Sequence, residues 1–192
     1  MPMNEYRLNK VPFLLAVCCI LAGLVIGRSS PLDTGPAGAP DHASDANTPF
    51  PRVFLDGHDE WKYIIGTNLK VCAVLLTGIL SLGFMSMANL AWIGLSTGWV
   101  VRSAIDSGMS WERVAALTVP HGLLELAGFA MIAAVACEGF IIIYRKLRLD
   151  DWSFSMDRLS LNYRRLTAGL LLVLAASMVE TYLTGQIAAG FN

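Results

Sequence analysis

The chain has 192 residues, 55% of them hydrophobic and only 15% charged, with a net charge of −1. Soluble domains carry about 25% charged residues, so this composition excludes an ordinary water-facing surface. The near-neutral balance offers no electrostatic footprint for nucleic acid.

The first element is "VPFLLAVCCILAGLVIG", Val11 to Gly27, preceded by Arg7 and Lys10 and followed by Arg28. Its flanks suit a signal peptide, but "RSSPLDTG" lacks a small-x-small cleavage site, so residues 1–28 read as an uncleaved anchor helix. Residues 29–60 change character. Five of the eight prolines lie between 29 and 57, with Asp33, Asp41, Asp45 and Asp56. Such a segment buries too little apolar surface to fold alone and reads as an extracytoplasmic loop. Its His42 reads as solvated. His58, Asp59 and Glu60 then open a helical pattern with Trp61 and Tyr63 at the membrane interface.

Residues 64–101 hold two short apolar spans with almost no loop, a tight hairpin whose turn is expected at Ser86–Asn89. A re-entrant pair would return the chain to the same side. "GLSTG" places Gly94 and Gly98 at the GxxxG spacing that lets helix backbones approach closely. Gly108 marks the next break, and Ser110 suits an N-cap with Glu112 in the first turn. From Ser110 to Tyr144 the helical pattern covers roughly 50 Å, more than the bilayer core of about 30 Å. The expectation is an interfacial helix to Thr118, a bend at Pro120, and a span onward to Tyr144. Residues 145–165 are rich in Lys and Arg, which holds such a loop in the cytoplasm. Residues 166–188 form the last span.

The fold class is therefore an all-α membrane protein with about five transmembrane helices, and residues 61–188 form a four-helix membrane domain. The basic segments place the N-terminus in the cytoplasm of an inner membrane and the C-terminus outside. All four cysteines, Cys18, Cys19, Cys72 and Cys137, lie in apolar stretches with no CxxC pair, and read as small hydrophobes.

Two spans carry ionisable groups. His121 and Glu125 are one helical turn apart and share a face. Glu125 lies about 8 Å below the outer end of its span, and Glu180 about 12 Å below the end of the last span. Ser177, Glu180 and Thr184 share a face by spacing. Asn68 starts the second span at similar depth. His121, Glu125, Glu180 and Asn68 thus form a candidate intramembrane polar cluster. Glu138 is rotated roughly 220° from Glu125 and reads as a snorkelling or helix-pairing group near Arg145. An ionised carboxylate in lipid is costly unless paired, protonated or functional. Three readings stay open: His121 hydrogen-bonds Glu125 or Glu180 and pins two helices; the groups line a proton or ion path; or they hold a metal. Metal chemistry of the zincin kind would want HExxH, which is absent, as are GxSxG and a phosphate-binding Walker motif. No metal, cofactor or enzymatic activity is expected.

"PHGLLELAGF", Pro120 to Phe129, is similar to the P-H-G-x-x-E-L-x-A signature of the stage II sporulation protein M family. Its motif residues here are Pro120, His121, Gly122 and Glu125. "TNLK" at 67–70 resembles the family's asparagine at the start of the second span, and "VETYLTG" at 179–185 its last-span glutamate. "ANLAWIG" at 88–94 occupies the place of the family's asparagine–glycine pair, which reads Asn89–Leu90 here. The resemblance covers roughly residues 60–188. It implies a non-enzymatic multi-pass protein that works within a complex, a scaffold or membrane subunit for cell-envelope enzymes. The expected partners are the lipid bilayer and other membrane or envelope proteins, with a homo-oligomer compatible. The alternative is a transporter or channel-like component built on the carboxylate and histidine cluster.

Overall fold

The structure, a computed structural model, describes residues 3–30, 57–150, 156–184 and 186. Most of the expected acidic loop therefore lies outside the described residues. What is described is helical, with no strand among those residues. The helices are α1 (Met3–Ser29), α2 (Gly57–Thr77), α3 (Phe84–Asp106), α4 (Trp111–Ala136), α5 (Glu138–Leu149) and α6 (Met156–Met178). Five segments are long and apolar enough to cross a bilayer: Lys10–Ser29, Trp61–Ser81, Phe84–Asp106, Trp111–Ala136 and Met156–Thr184.

Large apolar side chains face outward along these spans, among them Leu14, Val25, Trp92 and Leu171, each more than half exposed. In water so broad an apolar surface would drive association. In a bilayer it meets a solvent of its own kind. The interior is small and apolar, with Leu75, Leu90, Phe129, Ile132 and Val173 at 2% exposure or less.

Glycines set the helix pairing. α1 and α3 run parallel, and a Cβ on Gly94 would lie 2.2 Å from the Ile20 carbonyl oxygen, one on Gly98 2.4 Å from that of Leu24. The contact is reciprocal: Gly23 and Gly27 of α1 face the carbonyls of Ala91 and Leu95 equally closely. Two four-residue glycine steps, "GLVIG" and "GLSTG", thus interlock. Arg102 fastens the end of this pair, donating to the Arg28 and Ser30 carbonyls at 3.1 and 3.2 Å. Those carbonyls have no partner within α1, so the arginine completes its C-terminus. α4 and α6 are antiparallel and meet closely at Gly128 and Gly169.

Three boundaries differ from the expectation. The turn between the second and third spans falls at Gly78–Gly83, and α3 is unbroken through Ser86–Asn89. Those polar residues satisfy themselves without ending the helix. Ser86 donates to the Leu75 carbonyl on α2, and Asn89 to the Met85 carbonyl one turn back. The chain reverses where Leu82 and Gly83 take positive φ of 56° and 92°, a conformation cheap for Gly83. The expected hairpin is also less intimate than its turn suggests, because α3 finds its main partner in α1. Finally, α4 passes through Pro120 without a break, and the interruption comes at Cys137, before α5. There the Cys137 side chain sits against Gly83, where a Cβ would lie 2.4 Å from its sulfur. The first turn of α4 matches expectation: Ser110 Oγ accepts from the Arg113 N–H at 3.3 Å.

Candidate functional site

The antiparallel register of α4 and α6 places His121 opposite Thr184 and Gly128 opposite Gly169. Between these levels Glu125 and Glu180 lie within electrostatic range of each other. On α2, Asn68 donates to Ser177 Oγ at 3.3 Å, about one turn from Glu180 along α6, a contact buried between helices. Ser177 in turn donates to the Val173 carbonyl. The four groups of the expected cluster thus stand on neighbouring turns of α2, α4 and α6, where those helices meet.

The bonding within it differs from the expectation. His121 does not hydrogen-bond either glutamate; its Nδ1 lies 3.5 Å from Thr184 Oγ1. The reason is vertical offset. His121 is one turn nearer the helix end than Glu125, and the antiparallel partner at that height is Thr184. Asn68, Ser177 and Thr184 are buried, at 7%, 0% and 4% exposure, whereas His121, Glu125 and Glu180 are half-buried. The neutral polar groups therefore take the driest positions, where an unpaired charge would cost most.

A feature no spacing rule revealed is the helix form at Glu180. Val179–Thr184 continues α6 as a π-helical turn. Thr184 Oγ1 reaches back to the Val179 carbonyl five residues earlier at 3.3 Å, and Thr181 donates to the Ser177 carbonyl at 2.9 Å. The wider turn changes which side chains share a face, and such turns are frequent at functional positions. Cys72, one turn beyond Asn68, also lies within electrostatic range of Glu125. Among the described residues no three His, Cys, Asp or Glu side chains converge to hold a metal ion.

The remaining motif residues separate. Pro120 is half-buried within α4. Gly122 lies on a different face from His121, where an added Cβ would meet only the Thr118 methyl at 3.9 Å. Asn89 stays at the Gly78–Gly83 end of the bundle, bound to its own helix, and does not join the cluster. Of the two readings left open for Glu138, snorkelling or helix pairing, the structure shows a helix-pairing contact, with Arg158 of α6 at 2.6 Å. Arg165 lies within electrostatic range of both. The basic 145–165 stretch contributes to this far-end pair through α6.

A model of the family described as Stage II sporulation protein M matches residues 13–185. The chain is 24% identical over 183 residues to an uncharacterized protein of Methanocaldococcus jannaschii, a match that covers 93% of this chain and 97% of that protein. No solved structure matches the chain.

Proposed function

This chain belongs to the stage II sporulation protein M family, and on that premise we propose that it is a membrane scaffold, a non-enzymatic subunit that supports envelope enzymes. One observation carries the reading. Polar side chains within the bundle are used between helices, Asn68 with Ser177, His121 with Thr184 and Glu138 with Arg158. Groups committed to joining helices define a rigid platform, and a platform is what a scaffold must supply. In this reading the protein sits in the inner membrane with its N-terminus in the cytoplasm, an orientation supported by the basic 145–165 segment. The test is to delete the protein and follow the membrane retention of envelope hydrolases encoded beside it. Loss of retention, restored by the wild-type chain, supports the scaffold. Unchanged retention of every neighbour rejects it.

A second reading is favoured by Glu125 of α4 and Glu180 of the π-helical turn, which lie within electrostatic range of each other. Two nearby carboxyl groups in a low-dielectric span resist carrying two charges at once, which suits groups that take up and release protons along a path. Proteoliposomes holding the purified chain would then pass protons, and Glu125→Gln would abolish the flux. A flux equal to that of empty liposomes removes this reading.

A further inference from the structure

One face of α4 faces neither α6 nor α2. Trp111, Val114, Thr118, Gly122 and Leu126 form a stripe at helical spacing, and it borders a cavity of about 190 Å³. α1 closes one side with Leu24 and Arg28, and α3 contributes Thr97, Gly98 and Val101. The walls are almost wholly apolar. Leu126 lies fifteen residues from Trp111, so the groove follows the bundle for roughly 22 Å. One leaflet of hydrocarbon is about 15 Å deep, half of a core of about 30 Å. The groove therefore runs through a leaflet and into its headgroup layer.

Its headgroup end is chemically distinct. The Arg28 guanidinium lies 5.1 Å over the Trp111 ring. Stacking of this kind orients a cation while leaving its N–H groups free to donate. Among the described residues Arg28 forms no ion pair with a carboxylate. The groove thus has an apolar body and one oriented cation at its mouth, which is the complement of an acyl chain ending in a phosphate.

We propose that this groove between α1, α3 and α4 binds one acyl chain of an anionic phospholipid, with Arg28 holding the headgroup phosphate. The cation decides the occupant: an apolar groove with one oriented guanidinium at its headgroup end is matched by a lipid that carries both a hydrocarbon chain and a phosphate. Gly122 keeps the slot open: among the described residues an added Cβ there would meet only the Thr118 methyl, at 3.9 Å.

The test uses the full chain purified in mild detergent. It is mixed with equal amounts of phosphatidylglycerol and phosphatidylcholine carrying identical acyl chains, and retained lipid is read by native mass spectrometry. The wild type is expected to retain one phosphatidylglycerol. Gly122→Leu plugs the slot and should cut retention at least ten-fold, with the helical circular dichroism and thermal midpoint unchanged. Ala115→Leu, one groove-facing position nearer the mouth, is a second plug should the first variant fold poorly. Arg28→Gln should keep lipid but lose the preference for phosphatidylglycerol. Equal retention by wild type and both plugged variants overturns the proposal, as does equal uptake of the two lipids by the wild type. Disulfide-linked dimers formed in membranes by Gly122→Cys would place a second copy of the chain in the groove, and would also overturn it.

Discussion

The interlocked glycines of α1 and α3 allow a quantitative test. Replacing Gly94 and Gly98 by alanine puts a Cβ 2.2 Å from one carbonyl oxygen and 2.4 Å from another, where ordinary contact begins at 3.4 Å. Both obstacles are backbone, so rotamer changes cannot relieve them. The two helices must part by about 1 Å. A gap of that size forfeits roughly a quarter to a half of each dispersion contact along the seam. Overpacking costs about 1–3 kcal/mol per site. The second substitution exploits the separation made by the first, so the pair should cost about 2–4 kcal/mol, less than twice a single change. Gly66→Ala is the control, because a Cβ there meets nothing within 4 Å. It should be neutral or stabilise α2 by about 0.5–1 kcal/mol through helix propensity. Thermal unfolding in one detergent, followed by circular dichroism, reads both. At roughly 2–4 °C per kcal/mol for a chain of this size, the double variant should melt several degrees below the wild type. If Gly94→Ala/Gly98→Ala melts with Gly66→Ala, the glycines are not holding α1 to α3 and the packing argument fails.

The carboxylate pair should act as one unit: Glu125→Ala and Glu180→Ala should each lower the thermal midpoint, and the double variant should lose clearly less than the sum, whereas additive losses would mean that the groups do not meet. Asn68→Leu removes the donor to Ser177 and should cost about 0.6 kcal/mol with a ceiling near 1.7, the range for polar contacts between membrane helices; a loss well above that in the same melt would show Asn68 to be more than a helix tie. Glu138→Gln leaves Arg158, whose side chain is only 11% exposed, beside an uncharged partner; a loss of about 3 kcal/mol is expected, and Glu138→Arg/Arg158→Glu should recover part of it if the pair is what matters. Reporter fusions at Gly57 and Asp151 should report opposite sides of the membrane, and the same side for both would refute the five-span topology.

Much of the architecture was legible in the amino-acid order because hydropathy is a property of a segment alone. Whether residues 11–27 or 166–188 enter a bilayer depends on their own transfer free energy, so the number of spans could be read before any packing was known. Local signals were equally secure: Ser110 caps α4, and Gly94 and Gly98 mark a close helix contact. That Glu125 and Glu180 come within electrostatic range along α4 and α6 was also within reach of counting at 1.5 Å per residue.

Partnership is a property of two segments, and there the order of residues fell silent. Nothing in "GLSTG" says that it meets "GLVIG" of α1 rather than its neighbour in the chain. His121 pairs with Thr184 because the α4–α6 register, held at Gly128 and Gly169, sets which residues stand at equal height. Glu138 reaches Arg158 for the same reason. The chain reverses at Gly78–Gly83 because Ser86 and Asn89, outwardly turn-forming residues, find carbonyl partners inside the helix and across to α2. In a medium without water, each backbone and side-chain polar group must be satisfied by protein. Which protein group does so is settled only when the helices have packed, and that choice decided the turn, the break at Cys137 and the π-helical setting of Glu180.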